Sequence, residues 1–398
     1  MISPPAGIYV HVPFCVRKCA YCDFYSITDL GLKPAFLSAL RAEIAATAAG
    51  GLVFDTIHIG GGTPSTLEPG EVEAILALLS SRFRFEAPVE ITLEANPGTV
   101  DRDRLKGFRA AGVNRLTVGV QSFDATNLEL LGRIHTAAEA ERAVADARAA
   151  GFDELGLDMI YGLPDQTASA WAADLERALA HAPEHLSCYM LTIEPGTPLG
   201  RLRDSGRLRP APDDRVAELF TGTSKMLSAR GYRHYEIANF ARCDAADCAG
   251  AHVSRHNSKY WAYAPYLGFG PAAHSFLPPR RFWNHGNLGR YVEAVRAGEA
   301  TIAGEEVLTA GQQMTETVML GLRTAAGVDL AEFSRRFGEP AAQACADAAA
   351  PFAAQGLLTC ARARCAPTLR GMLIHNTIVG EIAEGLETFG AGSGEVIA

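Results

Sequence analysis

Three cysteines at C-x3-C-x2-C spacing, Cys15, Cys19 and Cys22, stand on one short stretch near the N-terminus. Thiolates are soft ligands, and three on one loop can grip three corners of a cubane iron–sulfur cluster. The fourth iron is then left without a protein ligand, the general mark of a metal site built for chemistry rather than for folding. The alternative is structural zinc, for which His11 would supply a fourth ligand. Structural zinc sites usually combine two C-x2-C pairs, and the chain has no second pair of that spacing.

Such a loop needs elements to hold it. It follows the apolar run Ile8–Phe14, which reads as a strand, and five more runs recur: Phe54–Ile59, Val89–Leu93, Arg115–Val120, Glu154–Ile160 and Leu186–Ile193. Amphipathic helical stretches lie between them, such as Lys33–Ala48, Pro69–Arg82, Ala137–Ala150 and Ala168–Ala180. Six β-α units predict a parallel sheet with helices outside it, as an open sheet or an incomplete barrel. In both, functional residues gather at the C-terminal ends of the strands. The polar and glycine-rich segments fall there: Gly60-Gly61-Gly62-Thr63 after the second strand, Glu94 after the third, Gln121 and then Arg133 after the fourth, Asp158 on the fifth. Each alone has a plain alternative as a turn, a cap or a solvated charge. Together they suit a ligand with an amino acid head, a ribose and an adenine.

The chain has 398 residues, 48% hydrophobic and 20% charged, with a net charge of −9. An acidic balance argues against non-specific nucleic-acid binding. No apolar run approaches a membrane span, and the N-terminus lacks a signal-peptide pattern, so a cytoplasmic location is expected. Nine cysteines in a chain this long do not predict a disulfide scaffold.

Beyond residue 200 the pattern is less regular. Val216–Ala229 reads as a helix and Tyr235–Phe240 as a strand or edge segment. The region holds two of the three tryptophans, Trp261 and Trp283, and five of the eleven histidines, a plausible wall for a flat hydrophobic ligand. Cys243, Cys248 and His252 could assist a metal or heme, but tolerated loop variation is the simpler account. Cys188 and Cys345 are expected in the core. In the last hundred residues Leu308–Thr324, Leu330–Phe337 and Pro340–Gln355 read as helices, Gly356–Leu358 and Thr368–Gly371 as a strand pair, and the segment after Glu387 as a glycine-rich tail. Three helices and a β-wing predict a small winged-helix-like domain, for which the acidic charge favours packing or docking over DNA binding.

These motifs together resemble the coproporphyrinogen III oxidase-like radical S-adenosylmethionine (SAM) proteins, and within them the HemW-type heme chaperones. The resemblance implies an α/β fold: a partial, six-unit radical SAM barrel over residues 1–200, a barrel extension over 201–300, and a winged-helix-like domain over 301–390. It implies a [4Fe-4S] cluster on Cys15, Cys19 and Cys22, and a SAM site lined by Tyr9, Tyr21, Gly61, Gly62, Thr63, Glu94, Gln121, Arg133 and Asp158. By residue type, Glu94 would meet an ammonium, Arg133 a carboxylate and Asp158 the ribose hydroxyls.

Within the family, the oxidases resemble C-x3-C-x2-C-x-C, whereas this chain has Phe24 at the last position. Phe24 puts decarboxylation of coproporphyrinogen III in doubt. The chaperone subgroup carries H-N-x-x-Y-W, here His256-Asn257-Ser258-Lys259-Tyr260-Trp261. The resemblance links His256, Asn257, Tyr260 and Trp261 to heme, with imidazole as an axial ligand and aromatics stacked on the porphyrin. The alternative is that this segment caps a turn and packs in the core. The expected partners are heme and a heme-acceptor protein, with no nucleic acid, no transmembrane segment but room for transient contact with a membrane protein, and an open question of a homodimer. A radical SAM coproporphyrinogen III oxidase, or another radical SAM tetrapyrrole enzyme, is the competing function.

Overall fold

The computed structural model describes residues 5–48, 50–243, 252–361 and 363–393. Cys248 lies outside them. Six parallel strands follow one another as predicted: β1 (Ala6–Val12), β2 (Val53–Gly61), β3 (Arg84–Ala95), β4 (Arg115–Gln121), β5 (Glu154–Tyr161) and β6 (His185–Met190). Between and after them come α1 (Lys33–Ala46), α2 (Pro69–Arg82), α3 (Arg102–Ala110), α4 (Ala125–Leu131), α5 (Ala137–Ala149), α6 (Ala168–Ala180), α7 (Pro198–Asp204) and α8 (Asp213–Ala229). Local chemistry sets the helix starts. Thr136 and Glu139 form a capping box on α5, Glu68 and Glu71 on α2, and Pro69 sits at the first position of α2, where a missing N–H costs nothing.

The sheet does not close among the described residues, so the barrel is partial. Its order runs through β1 to β6 and extends at both edges. Beside β6 lies β8 (Asn239–Arg242), antiparallel to it, and β7 (Tyr232–His234) pairs antiparallel with the far side of β8. Tyr235–Phe240 is therefore mostly the turn between them and not one strand; Glu236 in that turn bridges to Thr324 instead. Next comes α9 (Arg255–Trp261), which carries the H-N-x-x-Y-W residues. Then β9 (Tyr266–Phe269) pairs parallel with β1, and β10 (His274–Leu277), β11 (Arg280–Asn284) and β12 (Ile302–Val307) extend that edge antiparallel, with α10 (Leu288–Ala297) on the outside. The sequence reading did not find β9 to β12, because four- to six-residue strands carry too little periodicity.

Period two divides each barrel strand. Ile8, Val10, Ile57, Ile59, Leu93, Leu116, Val118, Leu155, Leu157 and Leu186 pack in the main core. The alternate positions carry Tyr9 and His11, Thr56 and His58, Thr92 and Glu94, Asp158, and Ser187, so the opposite face of the sheet is polar.

A second core, from Met314 to Leu386, belongs to the C-terminal part. It is built from α11 (Ala310–Leu322), β13 (Val328–Asp329), α12 (Leu330–Phe337), α13 (Glu339–Ala354), the hairpin β14 (Leu358–Ala361) and β15 (Arg364–Pro367), α14 (Leu369–Leu373) and α15 (His375–Ser393). Two expectations are corrected here. Thr368 does not enter a strand: its side chain accepts from Gly371 N and starts α14. The segment from His375 through Glu387 to Ser393 is one long helix, in spite of its glycines. The hairpin also places Cys360 directly opposite Cys365, with Cα atoms 4.2 Å apart, and they form a disulfide. Cys188 and Cys345 are buried in the cores, as expected.

The two parts meet at Glu236, which is 0% exposed and lies 3.0 Å from Arg323 Nε. Burial raises the Glu236 carboxyl above its usual range, and the guanidinium acts against that. Truncating one partner of a buried pair costs about 3–5 kcal/mol. Arg323 is about a third exposed, so Arg323→Ala is expected to cost about 2–3 kcal/mol, read as a lower urea midpoint, with Arg323→Lys recovering part of it.

Candidate functional site

The cysteine loop runs over the ends of the strands and is fixed from several sides. Cys15 N donates to Ile27 O at 2.9 Å, Ala20 N to Leu131 O at 3.0 Å, and Leu199 N to Ala20 O at 3.0 Å. Cys15 is buried and Cys19 and Cys22 are half-buried. Burial pushes the Cys22 thiol up, and the neighbouring Cys19 and Cys15 add to this. Two side chains reach the sulfurs. Thr63 Oγ1 donates to Cys15 Sγ at 3.3 Å, and Arg133 Nη1 donates to Cys19 Sγ at 3.3 Å. Such bonds orient ligands and stabilise thiolates, and their loss typically costs about 10–100-fold in metal affinity. Thr63→Val is expected to lower cluster retention by about 10-fold, measured by chelator challenge.

The zinc alternative fits less well. His11 Nε2 lies 3.0 Å from the carbonyl of Tyr25, which can only accept, and Nδ1 lies 3.0 Å from the Tyr9 hydroxyl, so both ring nitrogens are engaged. Among the described residues no three His, Cys, Asp or Glu groups are gathered as a single metal ion would need.

Gly61 and Gly62 must be glycine for reasons of space. Gly61 has φ +108° and a Cβ there would stand 2.7 Å from the His11 ring; at Gly62 it would stand 2.7 Å from the Phe14 carbonyl. Thr63 N and Gly62 N donate back to the first strand and its loop at 2.6 and 2.8 Å, so this turn is locked against the cysteine loop.

The other expected pocket residues lie on the polar face. His58 Nε2 donates to Glu94 Oε1 at 2.9 Å, and the Tyr9 ring stacks on His58 with centroids 6.0 Å apart. Arg133 also donates to Gly119 O at 2.6 Å, and its guanidinium meets the Tyr21 hydroxyl. Tyr21 packs at the same time against the buried cluster of Leu131, Ile160 and Leu163. Gln121 holds the left-handed region with φ 69°. On this face five polar atoms are covered from water with no protein partner: Asp158 Oδ1, Gln121 Oε1, Arg133 Nε, His58 Nδ1 and Thr92 Oγ1. Unpaired buried polar atoms are costly, and those of this face are available to a polar ligand. Burial pushes the Asp158 carboxyl up to about 7, with Glu94 adding to it and a bond from Ser187 opposing it.

The H-N-x-x-Y-W residues stand beside this face. His256 is 1% exposed, with Nδ1 2.9 Å from Thr56 Oγ1 and Nε2 2.9 Å from Tyr260 Oη. Asn257, Tyr260 and Trp261 are partly exposed. His252 Nδ1 lies 2.8 Å from Glu154 Oε1, and the half-buried Cys243 donates its N–H to Gly231 O at 2.7 Å. Sequence reasoning missed His58, Thr56 and Glu90. The alternation of polar residues along strands that must be buried on both faces was the signal that could have found them.

Comparison with known proteins bears on the fold and the family. The Radical SAM superfamily profile matches residues 9–178, and the HemN C-terminal domain profile matches residues 308–374. The solved Escherichia coli coproporphyrinogen III oxidase (HemN), described as a radical SAM enzyme, superposes with a TM-score of 0.81 at 25% identity, covering 97% of this chain and 91% of that one. These matches define a radical SAM-type α/β fold with a small C-terminal domain. The heme chaperone HemW of Bacillus subtilis is 33% identical over 94% of this chain and 97% of its own length. That of Escherichia coli K12 is 38% identical over 75% of this chain and 80% of its own. The mouse mitochondrial radical S-adenosyl methionine domain-containing protein 1 is 36% identical over 82% of this chain and 75% of its own. The chain belongs to the HemW-type heme chaperone family of radical SAM proteins.

Proposed function

We propose that the protein binds heme and passes it to an acceptor protein, and that it carries a [4Fe-4S] cluster on Cys15, Cys19 and Cys22 with SAM in the adjoining pocket. The observation that carries the heme reading is the near-full-length match to proteins named heme chaperones. Phe24 supports it: where the oxidases resemble a fourth cysteine, this chain exposes 70% of a phenylalanine. The residues present fit the cofactors. Three thiols share one loop, Thr63 and Arg133 back two of them, and Asp158, Gln121 and Arg133 keep unpaired polar atoms for a ligand that offers hydroxyls, an amine and a carboxylate. When bound, the cluster held by Cys15, Cys19 and Cys22 would chelate the amino and carboxylate groups of SAM and could supply an electron to its sulfonium. Within the heme reading, the contact made by the motif falls to the partly exposed Asn257 and Trp261. Ligation by His256 would require release of both its hydrogen bonds. Among the described residues no helix is long and apolar enough to cross a membrane. Action in the cytoplasm is part of this reading.

A hemin titration of the anaerobically reconstituted protein tests it. A saturable shift of the heme absorbance, followed by transfer to an apo-hemoprotein, is the expected result; no shift overturns the reading. The oxidase alternative draws on the superposition with HemN and on the SAM-type pocket. Protoporphyrinogen formed with SAM and a reductant would establish it, and its absence beside a working oxidase would dismiss it.

A further inference from the structure

The histidine of the H-N-x-x-Y-W segment touches the wall of the cofactor pocket. Its backbone N–H donates to Glu90 Oε1 at 2.9 Å, and a Cβ at Gly7 would come within 3.0 Å of its ring. Residues from β1, β2 and β3 thus surround His256. Burial, then the nearby His58 and Lys259, lowers its pKa, so the ring is neutral. Its face stacks on His58 with centroids 5.1 Å apart and planes 25° apart.

His58 has one hydrogen bond, to Glu94, and its other nitrogen is buried without a partner. One bond does not fix an imidazole, whose terminal torsion is broad. The rings of Tyr9 and His256, both stacked on it, supply the missing constraint. His256 is itself held at both nitrogens, by Thr56 and Tyr260. The helix that carries it is anchored by Lys259 on Asp55 at 2.6 Å and by the Arg323 guanidinium 4.6 Å over Trp261. Glu94 is more than a third exposed and needs such support to keep one orientation.

We infer that His256 is a positioning residue for the cofactor pocket: through the His58 ring it holds the Glu94 carboxylate where the amino group of SAM is met. The inference rests on the reading of this pocket as a SAM site. It gives the H-N-x-x-Y-W segment a task that requires no heme ligation by its histidine.

The test uses the full chain, reconstituted with its cluster, and compares wild type, His256→Ala, His256→Gln and Tyr260→Phe. Equilibrium dialysis measures SAM and 5′-methylthioadenosine, which keeps the nucleoside but lacks the amino acid portion. Iron content reports cluster integrity, and a hemin titration runs beside it. His256→Ala is expected to weaken SAM about 10-fold and 5′-methylthioadenosine by less than about twofold. His256→Gln, which keeps a flat polar group, recovers part of the loss, and hemin affinity stays at the wild-type value. Equal losses for both ligands, or unchanged SAM binding with lost hemin binding, overturn the inference. If His256→Ala does not keep its cluster, Tyr260→Phe decides: a loss selective for SAM supports the role, and no loss overturns it. A wild type that binds no SAM overturns the pocket reading itself, whereas a wild type and His256→Ala that bind SAM equally overturn the positioning role alone.

Discussion

Cys19→Ala is expected to abolish the iron–sulfur cluster proposed for this loop: after reconstitution, iron and acid-labile sulfide per chain fall to background, and the proposed chelation of SAM is lost with them. Three thiolates from one loop hold the cluster in this reading, and removing one leaves two. Losing a ligand exceeds the 10–100-fold cost of losing a supporting bond, so cluster affinity drops by more than about 100-fold. Cys19 is the informative choice because Arg133 donates to its sulfur. Without that acceptor the guanidinium loses a partner in a site where its Nε has none. Phe24→Cys is the control. That side chain is exposed and is not a ligand in this reading, so the added thiol leaves cluster content unchanged. Iron retained at the wild-type level by Cys19→Ala would show that Cys19 is not a ligand.

Asp158→Asn has the second largest effect, with opposite signs on stability and on binding. The Asp158 carboxyl moves from the usual 3.8 up to about 7 in the folded protein, chiefly because burial disfavours its charge. The native state therefore holds a proton that the unfolded chain has lost across this interval. Stability falls as pH rises from about 4 to about 7, since the unfolded state binds fewer protons there. The full shift corresponds to about 4 kcal/mol, and because Asp158 is only half-buried, about 2–4 kcal/mol is expected. Asparagine removes the charge. The variant is more stable than wild type at pH 8 by that amount and equal to it near pH 4, read from denaturant unfolding of the cluster-free protein. SAM binding weakens, because a carboxylate that accepts from ligand hydroxyls is gone. A variant less stable at pH 8 would mean that His58 and Arg133 hold Asp158 ionised before any ligand arrives.

Several parts of the site were legible because they are local. The cysteine spacing, the Gly60–Gly62 turn and the strand–helix alternation each depend on a few neighbouring residues, and the six barrel strands and their helices lie within a few residues of the expected positions. The edge strands escaped because they are short. The hairpin of Cys360 and Cys365 escaped because Thr368 looks like the start of a strand until its side chain is seen to cap α14.

The sequence by itself determined the family, the α/β class and the loop that can hold a cluster, since ligand type and spacing along the eight residues Cys15–Cys22 survive any folding detail. Only the tertiary structure decided where His256 lies and what it touches. Its partner Thr56 is 200 positions away, and no local pattern records that the two meet. An imidazole in solution offers an open ligand position. The same ring, enclosed by three strands and bonded at both nitrogens, offers a flat surface to His58 and no free lone pair to iron. Which of these a histidine becomes depends on packing between distant segments, and that information exists only once the sheet has formed.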